Sequence, residues 1–297
     1  MKPDFFILGA PKCGTTSLAY WLSQTPSIFM SDPKEPHHYA PDYRQTWSCF
    51  RQGIDDYEAL FSGADRDRQV IAEASTHYLW SKVAVANILA DAPDARFIVC
   101  LRNPKDMARS LHAHSLFWGN ETIADFEKAW AAQDRRLEGD DLPPWNPNPA
   151  TLQYRDVCAI GSQVEALLEK VPSERIKFVL IDDIGTEPKE TYKEICDFVG
   201  ATPAAIDFSS KNVTRARRCV ALNTAMRRLK HMSQGRVSRK IAVELDHLNQ
   251  KWNVRPARRQ PLHPTFDQAL TDWATPEIEK LEAATGRNLS AWRGTRA

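Results

Sequence analysis

The sequence predicts an α/β fold, a central parallel sheet between layers of helices, and three observations carry that prediction. Short unbroken apolar runs alternate with helical stretches through the first two thirds of the chain. The first run turns through Gly and Pro into a hydroxyl-rich helix start, and a later one ends in Arg102-Asn103-Pro104, a second helix start. This pattern places ligands at the carboxyl ends of the strands.

In chain order, Phe5-Phe6-Ile7-Leu8 reads as a buried parallel strand and Ser17 to Gln24 as a helix stopped by Thr25-Pro26-Ser27. Ile28 to Met30 is a short strand, and Asp55 to Phe61 a short helix. Val70 to Glu73 is a buried strand running into Ala74-Ser75-Thr76-His77-Tyr78, and Ser81 to Ala90 is helical. Arg96 to Leu101 is a strand, followed by a helix from Pro104 to Phe117 with Asn103 as its cap. Helices are expected over about 122–137, 157–170 and 188–199, with a strand over 175–181. Beyond residue 205 the chain reads as helical or irregular. The expectation is one domain over 1–297, an α/β core at 1–204 wrapped by a helical, basic region at 205–297.

The 297 residues, 42% hydrophobic, suffice for a large core, and a net charge of +1 argues against wholesale binding to nucleic acid or membrane surfaces. Six cysteines at 13, 49, 100, 158, 196 and 219 show no C-x-x-C pairing and read as reduced thiols of a cytoplasmic protein. The first strand begins almost at Met1, leaving no room for a signal peptide, and no apolar run is long enough to span a membrane.

The turn Gly9-Ala10-Pro11-Lys12-Cys13-Gly14-Thr15-Thr16-Ser17 is built for phosphate. Free N–H groups and the positive dipole end attract an anion, Gly14 permits close approach, the three hydroxyls donate and Lys12 adds charge. A nucleoside-triphosphatase loop has the same glycine spacing, but here Thr15 stands where its lysine would be. The charge sits in the turn instead, at Lys12. That suits a single 5′-phosphate carrying a leaving group better than a triphosphate with magnesium.

The run Pro11 to Leu18 resembles the 5′-phosphosulfate loop of sulfotransferases that use 3′-phosphoadenosine 5′-phosphosulfate (PAPS), whose fold is a P-loop-like three-layer α/β sandwich. Arg102 with Ser110 eight residues on resembles that family's 3′-phosphate grip. Lys34-Glu35-Pro36-His37-His38-Tyr39 resembles the segment bearing the catalytic glutamate of heparan-sulfate-type enzymes, which implies Glu35 as the base that deprotonates the acceptor and His37 as its orienter. His38 reads as structural. Ala72 to Leu79 resembles the Glu-x-[Ser/Thr]-Pro-x-Tyr stretch but has Ala74 and Thr76 at two of its positions, leaving His77 as a competing base.

Ten Lys or Arg and no acid fall in 211–240, read as a flap attracting the anionic donor or acceptor. Arg255 to Pro264 resembles the basic loop closing over the 3′-phosphate, which implies roles for Arg258 and Arg259, and Leu281 to Trp292 resembles the family's last helix and tail. The donor site is thus expected at Lys12, Cys13, Gly14, Thr15, Thr16, Ser17, Arg102, Ser110, Arg258 and Arg259. The resemblance implies PAPS, with adenosine 3′,5′-bisphosphate as product, no metal, and a hydroxyl-bearing small molecule or glycan as acceptor; no nucleic-acid partner is expected. The rival readings are a nucleotide or small-molecule kinase and a non-catalytic nucleotide- or nucleic-acid-binding module.

Overall fold

The computed structural model describes residues 1–43, 54–143, 146, 148–209, 215–232, 243–245, 247–249, 251–256 and 261–294. It divides into two compact units. The first comprises Met1–Met107, Ala159–Asn212 and Thr271–Ala297; the second comprises Ala108–Cys158 and Val213–Leu270.

The first unit is built on a five-stranded sheet: β1 (Phe5–Gly9), β2 (Ile28–Met30), β3 (Val70–Ala74), β4 (Arg96–Leu101) and β5 (Ile176–Leu180), in the order β2-β3-β1-β4-β5. All four pairings are parallel, as the apolar runs required. Phe5, Phe6, Ile7 and Leu8 are fully buried, and Phe6 stacks on Phe97 of β4 with ring centroids 6.2 Å apart. The first three helices are α1 (Thr15–Ser23), α2 (Ile54–Ala59) and α3 (Ala84–Asp91), and α4 (Pro104–Trp118) follows β4. Because the chain leaves β1 toward β2 and later returns past it to β4, the carboxyl end of β1 is the switch point where such sheets bind ligands.

The second unit holds the rest of α4, then α5 (Phe126–Ala131), α6 (Gln133–Leu137) and α7 (Tyr154–Val157). The first unit resumes with α8 (Ile160–Leu168), α9 (Ile181–Thr186) after β5, and α10 (Pro188–Val199). β6 (Arg215–Arg217), α11 (Val220–Met232) and β7 (Val254–Pro256) belong to the second unit, and α12 (Pro264–Thr285) runs from it into the first.

Most expected elements appear, several to the residue, and the departures have local causes. The helix expected from Ser81 starts at Ala84 because the Ser81 hydroxyl accepts the Ala84 amide at 3.0 Å, making a turn ahead of it. The single helix expected over 122–137 is two, meeting at Ala132. The region beyond 205 contains an antiparallel pair, β6 with β7, in place of helix or irregular chain alone. One cation of the basic run, Arg217, is buried there, with its guanidinium 4.2 Å from the Phe117 ring centroid and its Nε donating to Phe117 O. It therefore holds the fold and is not part of a solvated flap; Lys211, Arg236, Arg239 and Lys240 lie outside the described residues.

At the centre of the second unit, Arg136 donates to Glu121 at 2.8 Å with both side chains inaccessible to solvent, and Tyr154 donates to the other Glu121 oxygen at 2.7 Å. A buried pair of this kind is costly to break from one side, since the survivor stays buried and uncompensated. Glu121→Ala is expected to lower the unfolding free energy by about 3–5 kcal/mol in chemical denaturation; a change below about 1 kcal/mol would show that the pair carries little of the unit's stability.

Candidate functional site

The phosphate loop forms where β1 ends. Gly9, at φ 135°, has no room for a side chain: a Cβ would lie 2.3 Å from the Thr76 carbonyl oxygen, because the segment after β3 crosses the strand end. Ser75 N–H to Ile7 O and Leu79 N–H to Leu8 O fix that crossing, and Ala10 N–H to Cys100 O ties the loop to β4. Gly14 takes the N-cap position of α1 in the left-handed region, at φ 95°. The first turn of α1 has no acidic residue, so its amides and dipole face the loop uncancelled. Thr15 and Ser17 are buried there and Thr16 is exposed.

Cys13 turns inward, fully buried, its Sγ 3.8 Å from Met107 Sδ, and burial pushes its thiol up to about 12. It serves the loop through its backbone. Lys12 is half-buried at φ 66°, and the Arg102 guanidinium donates to its carbonyl at 2.8 Å. Burial first, then Arg102, then Lys34 lower the Lys12 ammonium below its ordinary value, against an opposing pull from Cys13 and Glu35. Two cations held side by side at a helix N-terminus, in a cradle that glycines keep open, fit a bound phosphate.

The second loop lies along the end of β3. Glu35 donates its amide to Ala74 O at 2.9 Å, His37 donates its amide to Ser75 Oγ at 3.0 Å, and Tyr39 donates its amide to Tyr78 Oη at 3.2 Å. Glu35 and His37 are both left-handed, at φ 64° and 51°. The Glu35 carboxylate is about a third exposed, with Lys34 Nζ 2.6 Å from one oxygen and His37 Nε2 3.5 Å from the other. Burial alone would raise its pKa, but the His37 ring and the Lys34 ammonium outweigh burial and hold it well below the usual carboxylate range.

Of the expected residues, Lys12, Arg102 and Glu35 thus come together at the ends of β1, β4 and β3. His77, the competing base, is buried in an aromatic group: its ring stacks on Tyr43 at 4.0 Å and meets His37 edge-on at 5.5 Å. Ser110 is buried within α4, in the second unit. Arg258 and Arg259 lie outside the described residues. Sequence reasoning missed Lys34, whose signal was its adjacency to the proposed base, and also Glu73, the one charge in the otherwise apolar β3.

The sulfotransferase domain model matches residues 2–273. The chain belongs to the sulfotransferase family. A sulfotransferase structure from Alicyclobacillus acidocaldarius is 25% identical, with 99% of this chain and 100% of that one aligned at a TM-score of 0.70. Bovine bifunctional heparan sulfate N-deacetylase/N-sulfotransferase 2 is 26% identical over 208 residues, 68% of this chain and 22% of the relative. Human heparan sulfate glucosamine 3-O-sulfotransferase 6 is 30% identical over 114 residues, 38% of this chain and 31% of the relative. The chain therefore spans about a fifth of the length of the bifunctional relatives. Family membership favours neither the kinase nor the nucleic-acid-binding alternative.

Beneath the second loop, Glu73 is fully buried and accepts three hydroxyls: Ser75 at 2.6 Å, Tyr57 at 2.8 Å and Tyr78 at 3.0 Å. Burial raises its carboxyl to about 7, against those three hydrogen bonds and the Lys34 charge. A carboxyl whose folded pKa lies above its unfolded value contributes stability that is fully present below the unfolded pKa, near 4.5, and lost as pH rises through the folded one. The unfolding free energy of the wild type, relative to Glu73→Gln, is therefore expected to fall by roughly 2–3 kcal/mol between pH 5 and pH 8. A difference independent of pH would show that Glu73 does not titrate in this window.

Proposed function

We propose that this chain is a PAPS-dependent sulfotransferase moving a sulfuryl group to a hydroxyl or amine of a glycan or other small acceptor. The observation that carries the reading is the placement of Lys12 and Arg102 beside the N-terminus of α1 with the Glu35 carboxylate within their field. PAPS, when bound, supplies an electrophilic sulfuryl group on a phosphate that can leave. The α1 amides and the hydroxyls of Thr15, Thr16 and Ser17 hold the 5′-phosphate, and Lys12 neutralises the charge that grows on it as the S–O bond breaks. Arg102 grips the 3′-phosphate, a role in which the family resemblance also implies Ser110, Arg258 and Arg259.

Glu35 takes the proton from the acceptor as the new bond to sulfur forms. In the geometry described, Lys34 blunts that carboxylate's basicity, so the base becomes effective when its ion pair with Lys34 opens. His37, beside the second carboxylate oxygen, orients it. His77 is assigned the structural role because its ring is enclosed by Tyr43, His37 and Trp80. The names of the relatives include both O- and N-sulfotransferases of heparan sulfate, which supports a glycan acceptor. Among the described residues no helix is long and apolar enough to cross a membrane, and the described cysteines are free, which supports a reducing compartment such as the cytoplasm.

Transfer from radiolabelled PAPS to a panel of glycan, phenol and amine acceptors tests the activity. With the best acceptor, Glu35→Gln is expected to lower turnover about 10²- to 10⁴-fold while bisphosphate binding survives, and His77→Ala to cost under tenfold. Near-wild-type turnover for Glu35→Gln beside an inactive His77→Ala would reverse the assignment.

A further inference from the structure

We infer that Glu73 is a positioning residue for the loop that carries the base. The inference rests on the reading of Glu35 given above, but its structural part stands on the hydrogen bonds alone. Left-handed backbone at a non-glycine residue is strained and persists where the surroundings over-determine it. Of the four described non-glycine residues with positive φ, two are Glu35 and His37, in one loop. What holds them is β3 and the segment after it.

Glu35 N–H goes to a backbone carbonyl, that of Ala74, whose position the sheet fixes. His37 N–H and Tyr39 N–H go to hydroxyl oxygens, Ser75 Oγ and Tyr78 Oη. A hydroxyl whose own proton is donated elsewhere is fixed in orientation and accepts more strongly, and both of these protons are directed to one acceptor. Ser75 donates to Glu73 Oε1 and Tyr78 donates to Glu73 Oε2. One buried carboxyl therefore aims the two hydroxyls that pin the chain on the far side of Glu35. The third donor, Tyr57 of α2, fixes the carboxyl itself.

Glu73 touches neither Lys12 nor Arg102 in this network, so it acts on the acceptor side and not on the donor. Lys34 acts on it at a distance, and the groups that hydrogen-bond to it are the hydroxyls of Ser75, Tyr57 and Tyr78. A charged side chain in the middle of an apolar strand would otherwise be a liability. Its place under the base loop gives it a use.

Three variants test this: Glu73→Gln, which keeps the shape, Ser75→Ala, which leaves the carboxyl in place and removes one relay, and Glu35→Gln. Hydrogen exchange in the 34–40 segment is expected to quicken about tenfold in the first two, with β1 and β4 amides and adenosine 3′,5′-bisphosphate affinity unchanged. Exchange confined to wild-type rates, or quickened throughout the sheet, would overturn the positioning role. With radiolabelled PAPS and de-N-sulfated heparan sulfate as the acceptor probe, Glu73→Gln is expected to lower kcat about 10²-fold at unchanged donor KM. Adding it to Glu35→Gln should cost nothing more, because it acts through that residue. A full additional loss in the double variant would overturn the coupling. Wild-type turnover in Glu35→Gln would overturn the base reading separately, whatever the exchange shows.

Discussion

The candidate site depends on holding two cations, Lys12 and Arg102, together at a helix N-terminus. Lys12 and Arg102 repel, and each would be more stable apart. The fold prevents separation by tying the Arg102 side chain to the Lys12 carbonyl and by starting both loops from neighbouring strands, β1 and β4, whose register is set by buried apolar pairs. The left-handed Lys12 and the glycines on either side let the chain make this turn in the space the Thr76 crossing leaves. A bound polyanion would relieve that repulsion, which supports the proposed donor site.

The acceptor side is governed by the opposite problem. A carboxylate near these cations is easily ionised but is a weak base, and Glu35, with Lys34 and His37 on its two oxygens, is held well below the ordinary range. On the proposal that Glu35 is the base, catalysis requires that part of this stabilisation be withdrawn at the moment of attack. Lys34 is the removable part, since both it and Glu35 remain partly exposed, whereas His37 is buried and fixed through its amide. The two halves of the proposed site meet through the segment after β3, which crosses the end of β1 at Gly9, and through Ala74 of β3, which accepts the Glu35 amide.

The fold was legible because its determinants are local. β2, β4 and α10 match the expected boundaries, each being an apolar run or a proline-started helix with its stop in the adjacent residues. Lys12, Arg102 and Glu35 were legible as strand-end residues, and their convergence follows from strand order. What the sequence did not disclose depends on contacts between distant segments. The burial of Arg217 against Phe117, the inward turn of Cys13 toward Met107 and the three hydroxyls on Glu73 are set by tertiary packing, so a basic run, a loop residue and a strand glutamate each read differently in the chain than in the fold. β6 and β7, three residues each and some 40 residues apart, leave no periodic signal.

The cradle is proposed to be shaped for a 3′,5′-phosphorylated adenosine and not for a triphosphate. Calorimetric titration of the wild-type protein with adenosine 3′,5′-bisphosphate, 5′-AMP and ATP–magnesium decides the matter. The bisphosphate is expected to bind tightest, by about tenfold or more over 5′-AMP for one charge-assisted phosphate grip, with ATP–magnesium weaker still. Equal affinity for the bisphosphate and 5′-AMP, or a preference for ATP–magnesium, would contradict it.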